Sequence, residues 1–159
     1  MTEFVLYQLA SGQNGKISPE DSDLATLNWC WLKGYSHKKS PRPERKTVYM
    51  HRLIMERVLG RKLISTETVD HINGDTLDNR RSNLRLATPA ENMRNQKRRK
   101  DNSSGYKGVC FHKQTKKWMA RVVIKGKGIY LGVFDTPELA YQAYCDSARQ
   151  IHGEFFRPE

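Results

Sequence analysis

Cysteine is scarce in this chain: Cys30, Cys110 and Cys145 are far apart and none belongs to a C-x-x-C pair. That argues against a disulfide framework and against a cysteine-built zinc site. Reduced thiols in a cytoplasmic protein are the plain reading. Long apolar runs are also missing. Nothing approaches the ~20 residues of a membrane span, and the mean hydropathy is −0.77. The opening MTEFVLYQLASG has neither the basic nor the long apolar region of a signal peptide. Membrane-spanning, secreted and collagen-like classes are therefore not expected. Acidic residues are in short supply as well, with 17 Asp plus Glu against 28 Lys plus Arg and a net charge of +11.

That imbalance points to a polyanionic partner, nucleic acid first. The excess is not confined to a tail: residues 1–97 carry 16 basic and 11 acidic side chains, residues 98–159 carry 12 and 6. Only 37% of the 159 residues are hydrophobic, which suits two modest cores better than one large one. The clearest break is Lys97-Arg98-Arg99-Lys100, followed by Asp101-Asn102-Ser103-Ser104-Gly105. Adjacent cations repel, and the polar stretch has no apolar period, so residues 98–104 read as a basic linker able to lie along phosphates.

Upstream of the break, Ser18-Pro19-Glu20 reads as a helix start with Ser as N-cap. Asn28–Tyr35 and Lys46–Met50 read as two arms of a hairpin around a polar loop, residues 36–45, with Trp29, Trp31 and Tyr35 in the core. A helix over His51–Leu59 follows, with Leu53, Ile54, Arg57 and Val58 on one side and Gly60 as its stop. Ile64–Val69 is β-prone, Asn73-Gly74 marks a turn, and Leu84–Ala87 can return as a strand. Thr88-x-x-Glu91 with Pro89 is a capping box that opens a helix to about Lys97.

The densest chemistry lies in Asp70-His71, Asn83 and Asn92. Neighbouring strand residues point to opposite faces, so Asp70 and His71 are free to take different tasks. A carboxylate and an amide oxygen are hard ligands, suited to a Mg²⁺ that keeps several waters. Imidazole titrates near neutrality, so His71 can act as general base on a water, with Asn83 able to orient it.

The run DHINGDTLDNRRSNLRLATPAENMRNQ, with Tyr49-Met50-His51-Arg52-Leu53-Ile54 before it, resembles the HNH nuclease motif, the ββα-metal fold, in the form carried by phage and intron-borne homing endonucleases. The resemblance spans about residues 46–97. It implies a metal on Asp70 and Asn92, His71 as general base, and Asn83 holding the loop and the histidine. The last ligand is often histidine in the wider family. Asparagine here makes the site more oxygen-rich, favouring Mg²⁺ or Mn²⁺ over Zn²⁺. His51 is a supporting residue rather than a catalytic one on this reading. Arg80, Arg81 and Arg85 are placed either to position phosphates or to stand as solvated charges. His37 and His152 are read as structural. The implied reaction is hydrolysis of a double-stranded DNA phosphodiester with one divalent metal, leaving 5′-phosphate and 3′-hydroxyl. No membrane or small-molecule substrate is expected, and the active form is a monomer or a DNA-assembled dimer. The alternative is a DNA-binding regulator whose HNH fold has decayed.

Beyond the linker, Tyr106–His112, Lys117–Ile124 and Gly128–Phe134 read as an antiparallel meander. Thr136-Pro137-Glu138 then opens a helix that ends at Gly153, with Leu139, Ala140, Ala143, Tyr144 and Ile151 on its apolar face. The motifs YKGV, KWMAR, YLGVFDT and ELAYQAY resemble the APETALA-type DNA-binding domain of plant ethylene-response factors over about residues 104–157. The fold class is thus α+β: an HNH domain over 1–97, the linker, and a three-stranded sheet on one helix over 105–159. In the plant family the sheet enters the major groove. Here Trp118, Ala120, Val122 and Ile124 face the helix, and Lys117, Met119, Arg121 and Val123 face outward. Lys107, His112, Lys125, Lys127 and Tyr130 join the outer face, with Arg98, Arg99 and Lys100 from the linker. Cys110, His112, Val123 and Tyr130 stand where plant proteins carry arginine or tryptophan. Fewer guanidinium forks mean fewer paired contacts to guanine, so the plant target does not transfer.

Overall fold

The structure is a computed structural model and describes residues 3–40, 46–96, 98, 102–124 and 126–158. The chain folds as two compact units, residues 1–92 and 93–159, each with its own apolar core.

In the first unit, β1 (Val5–Gln8) and β2 (Asn14–Ile17) form an antiparallel hairpin. A 3₁₀ segment, Pro19–Thr26, follows. The helix start expected at Ser18 is not a side-chain cap: Ser18 Oγ instead accepts from the backbone N–H of Arg81 at 2.9 Å. β3 (Cys30–Leu32), β4 (Tyr35–Lys39) and β5 (Thr47–Tyr49) make a second sheet in that order. The expected arms are therefore one element short. The chain reverses at Lys33-Gly34, where both residues have positive φ, 49° and 86°, the backbone that a two-residue turn between twisted strands requires. The first part of the presumed loop is strand β4, while residues 41–45 lie outside the described residues. Trp29 is fully buried and its indole N–H donates to Leu24 O at 2.7 Å. Trp31 is 36% exposed, so it is not the core residue expected.

Helix α1 (Met50–Leu59) ends at Gly60, which adopts the left-handed conformation at φ 66°. Its buried face is Met50, His51, Ile54 and Met55. Val58, expected on that face, is exposed because the last turn runs past the core. β6 (Thr68–His71) pairs antiparallel with β8 (Leu84–Ala87), placing Asp70 opposite Arg85 and His71 opposite Leu84. Between them β7 (Asp78–Asn79) leaves this pair and adds in parallel to β2, with Lys16 opposite Asp78 and Ile17 opposite Asn79. Tyr7, Leu9, Ile17, Leu24, Trp29, Met50, Ile54, Met55, Val69 and Leu84 form the core beneath these elements. Helix α2 (Pro89–Arg94) follows β8 and is shorter than expected. Its capping box is made: the Glu91 carboxylate accepts from Thr88 N at 2.7 Å, and Thr88 Oγ1 accepts from Glu91 N at 3.3 Å.

In the second unit Asn102 folds a polar turn, its Oδ1 accepting from Ser104 N and Gly105 N at 3.0 and 3.1 Å. Residues 102–104, expected as the end of the linker, thus form a turn, while residues 99–101 lie outside the described residues. β9 (Val109–His112), β10 (Lys117–Ile124) and β11 (Lys127–Phe134) form an antiparallel sheet with β10 in the middle. Helix α3 (Pro137–His152) is capped by Thr136 Oγ1, which accepts from Leu139 N at 3.3 Å. Val109, Ala120 and Val122 pack against Ala140, Tyr144, Cys145 and Ala148. The helix stripe follows Ala140, Tyr144, Ala148 and His152 at four-residue steps, which leaves Leu139 and Ile151 exposed rather than buried. The fold class is mixed α+β. Among the described residues, no helix is long and apolar enough to cross a membrane.

Candidate active site

The site is built on the β6–β8 pair and the segment that loops out between them. Asp70 and His71 are both buried, each 4% exposed. As neighbours on a strand they look to opposite sides. Asp70 Oδ2 is held across the pair by Arg85, with Nε at 2.9 Å and Nη2 at 2.8 Å. His71 Nε2 stands 3.2 Å from Asn79 Oδ1. Tyr35 and His51 flank the ring, with centroids at 6.1 and 5.4 Å.

Asn83 bonds to the loop through both ends of its amide. Its Oδ1 accepts from Asn73 N at 3.0 Å, and its Nδ2 donates to Asn73 Oδ1 at 3.0 Å and Asp78 O at 2.7 Å. It holds the loop. Asn79 also meets the imidazole, and sequence reasoning missed it. β7 pairs with β2, some sixty residues earlier in the chain, and no local pattern announces a long-range parallel pairing of two residues. The Asn79 amide in turn donates to Tyr7 Oη at 2.8 Å and Thr76 O at 3.4 Å, and Tyr7 Oη lies 2.7 Å from Ser36 Oγ. Asn79, Tyr7 and Ser36 are at most 2% exposed.

Burial, the largest influence, pushes the His71 imidazole below its ordinary range, although Asn79 and the nearby carboxylates of Asp70, Asp75 and Asp78 favour its charged form. His51 is pushed down to about 3 by burial and by the neighbouring His71 and Arg52. Both rings are therefore neutral at pH 7, and a neutral ring is the form that accepts a proton. Asn92 sits half-buried on the first turn of α2, its backbone N–H bonded to Thr88 O at 3.0 Å.

The donor set bears on which ion could be held. Asp70 offers a carboxylate and Asn92 an amide oxygen. Among the described residues, no group of three or more His, Cys, Asp or Glu gathers as a metal cage. These residues fit a hard cation that keeps most of its ligands as water, rather than a closed nitrogen or sulfur site.

The three arginines near the loop are not solvated charges. Arg80 forks onto Asp78 at 2.7 and 2.6 Å and Arg81 onto Asp21 at 2.7 and 3.0 Å, while Arg85 meets a single oxygen of Asp70. Burial opposes the Asp78 charge, yet the Arg80 fork holds its carboxyl below the ordinary range. Paired forks of this kind order the loop.

In the second unit, Cβ alternation and register put His112, Lys117, Met119, Arg121, Val123 and Tyr130 on the outer face of the sheet, with Arg121 opposite Tyr130 across a bulge. Lys117 pairs with Asp135 at 2.8 Å, and His112 Nδ1 lies 2.9 Å from Thr115 Oγ1. Lys127 is exposed at the start of β11, and Arg98 is exposed between the family segments. Lys107 Nζ donates to the carbonyls of Arg94 and Gln96, both at 2.7 Å. Arg99, Lys100 and Lys125 lie outside the described residues.

Two families match the chain: HNH endonuclease over residues 48–94 and the AP2 domain over residues 104–154. Protein 3.8 of Escherichia phage T7 is 38% identical over 89 residues, covering 56% of this chain and 73% of the phage protein. An uncharacterized HNH endonuclease of Acanthamoeba polyphaga mimivirus is 38% identical over 109 residues, 69% of this chain and 56% of that protein. APETALA2-like protein 2 of Oryza sativa subsp. indica is 41% identical over 51 residues, 32% of this chain and 12% of the plant protein. No solved structure matches. The chain belongs to the HNH endonuclease family and carries an AP2 domain after its nuclease segment.

Proposed function

We propose that this chain is a site-directed endonuclease of homing type that hydrolyses one phosphodiester of double-stranded DNA per active site. The observation that supports this most directly is His71: a buried, neutral imidazole held by a side chain, next to a carboxylate on the same strand. His71 takes a proton from a water as that water's oxygen attacks phosphorus. The bond from phosphorus to the 3′ oxygen breaks, and the departing oxygen takes a proton from solvent. The products are a 5′-phosphate and a 3′-hydroxyl. Asp70 and Asn92 would hold a single divalent ion, Mg²⁺ by their hard oxygen donors, with Mn²⁺ able to replace it. Such an ion, when bound, stabilises the charge that develops on the phosphate and the departing oxygen.

Arg85 keeps the Asp70 carboxylate oriented, and Asn83 keeps the loop closed over the site. The outer face of the β9–β11 sheet, with Arg121, Tyr130 and Lys117, is the DNA-holding surface on this reading, and Arg98 to Lys100 add phosphate contacts. Arg80 and Arg81 act on DNA only if their carboxylate pairs rearrange. Tethering the two activities raises the effective concentration of the nuclease at a bound site. One active site per chain nicks one strand. A double-strand break needs two chains assembled on DNA, or two successive events.

The test is incubation of the full chain with supercoiled plasmid carrying candidate target DNA. Nicking that needs Mg²⁺, stops with EDTA and is lost in His71→Ala is the expected result. DNA retention without any cleavage under Mg²⁺ or Mn²⁺, across several substrates, would instead support a non-catalytic binding protein.

A further inference from the structure

We propose that Asp21 is a positioning residue for the nuclease centre: it fixes Arg81, and with it the turn from which Asn83 holds the loop between β6 and β8. That the turn serves catalysis rests on the nuclease reading; the grip on Arg81 does not. Asp21 is fully buried and lies ahead of the stretch that matches the HNH family, residues 48–94. Two arginines reach it, on unequal terms. Arg81 forks onto both oxygens, Nε donating to Oδ2 at 2.7 Å and Nη2 to Oδ1 at 3.0 Å. Arg57 touches Oδ1 alone, at 3.3 Å, and gives its own fork to Asp23, with both bonds at 2.7 Å. The Arg81 backbone is held as well, its N–H donating to Ser18 Oγ at 2.9 Å. A guanidinium and a backbone N–H can only donate, so these roles have no alternative.

Arg81 opens a 3₁₀ turn, Arg81–Asn83. Asn83 N donates to Arg80 O at 2.9 Å, and Asn83 O accepts from Ile72 N at 2.9 Å. The Asn83 side chain bonds Asn73 and the Asp78 carbonyl. Ile72 and Asn73 directly follow His71. A continuous path of short links therefore runs from Asp21 through Arg81 and the turn to the residues after the candidate base. A buried ion pair commonly adds little net stability over apolar packing of the same volume. What a planar, two-pronged pair does supply is direction. Together with Ser18 it fixes both the tip and the backbone of Arg81. Arg57 separates stability from positioning. It shares Asp21 but is anchored on α1, so its loss should weaken the pair without releasing the Arg81 backbone. Ser18, Asp21 and Arg81 are positioning residues, not catalytic ones.

The experiment compares the full-length wild type with Ser18→Ala, Ser18→Thr, Asp21→Asn and Arg57→Met, each well below its unfolding midpoint. Amide hydrogen exchange is followed at Ile72, Asn73 and Asn83. Leu9, whose N–H bonds Gln13 O at 2.8 Å in the first hairpin, is the reference for global opening. Nicking kinetics are measured in parallel. Ser18→Ala and Asp21→Asn are expected to speed exchange at the turn amides about 10-fold relative to Leu9. They should lower kcat about 10-fold with KM for plasmid unchanged, the scale of one lost hydrogen bond. Ser18→Thr, which keeps the hydroxyl, should restore both. Arg57→Met should lower the unfolding midpoint while kcat and the relative exchange stay at wild-type values. The proposal is overturned if folded Ser18→Ala and Asp21→Asn proteins leave kcat or the turn exchange unaltered. It is also overturned if Arg57→Met lowers kcat as much as they do, which would tie the loss to stability alone. A raised KM with kcat unchanged overturns it too, since Arg81 would then act as a DNA contact. If Asp21→Asn fails to fold by circular dichroism, Ser18→Ala against Ser18→Thr decides alone. If the wild type nicks nothing, the nuclease reading fails, and the exchange data still decide whether Asp21 holds the turn.

Discussion

His51 illustrates how burial alone changes what a side chain does. At 8% exposure beside His71 it titrates at about 3 rather than near 6.5, so the fold disfavours its charged form while the unfolded chain does not. The sign follows: between those two values the unfolded state binds the extra proton, so stability is full above about pH 6.5 and is lost as pH falls toward 3. The slope for one such group is about 1.4 kcal/mol per pH unit. His71 and His152, also held below their ordinary range by burial, tilt the curve the same way. Urea unfolding of wild type and His51→Gln between about pH 5 and 7 should therefore give curves that diverge, with the variant the less pH-dependent of the two; parallel curves would show that His51 is not held neutral. Asp21 is a fully buried carboxylate paired with two guanidinium groups, Arg57 at 3.3 Å and Arg81 at 2.7 Å. Asp21→Asn should cost about 3 kcal/mol in chemical denaturation, at the low end for a broken buried pair because both arginines are about a third exposed.

At the level of elements, the Thr88–Glu91 capping box, the Thr136 cap of α3 and the glycines that end α1 and α3 follow from local chemistry, and the structure makes them, whereas the cap expected at Ser18 is not made. Gly108 is a case where an element depends on a missing side chain. It has φ 75°, and a Cβ there would lie 2.1 Å from the Tyr144 ring of α3. Its carbonyl accepts from Arg121 N at 2.9 Å, which ties the start of β9 to β10. Gly108→Ala combines left-handed strain with a clash against a buried aromatic. It should destabilise the second unit by about 1–3 kcal/mol, read as an earlier loss of near-ultraviolet signal from its aromatics on heating. An unshifted transition would mean that Tyr144 can move aside. The α3 stripe shows why a count of large apolar residues misleads. The helix approaches the sheet through Ala140 and Ala148, and the larger Leu139 and Ile151 are left outside.

For the whole molecule, the excess positive charge and the two family segments lead to a prediction about DNA. Retention of duplex DNA should fall linearly in log–log terms as salt rises, because cations on the DNA are released when lysines and arginines replace them. Arg121→Ala with Tyr130→Ala, on the outer sheet face, should weaken retention by about 1–3 kcal/mol in a filter or mobility-shift titration. His71→Ala should leave both the affinity and the salt slope unchanged while abolishing cleavage. Equal loss of binding in both variants would mean that the nuclease segment supplies the main contacts.

Charge, cysteine scarcity and the order Asp70, His71, Asn83, Asn92 were enough to recognise the family and to single out a candidate base, because those depend on residue type and short spacing. The Thr88 and Thr136 helix caps, the meander and the inward alternation of Trp118, Ala120 and Val122 were legible for the same reason. The contact of Asn79 with His71 was not legible. Asn79 reaches the ring only because β7 abandons its neighbours to pair with β2, and Tyr7 meets it from 72 positions away. The fate of Arg80, Arg81 and Arg85 was also left open by sequence, since a guanidinium reads the same whether it faces solvent or a buried carboxylate. Local patterns report what a residue can do; which partner completes it is decided by contacts between segments distant in the chain, and those exist only once the core has closed.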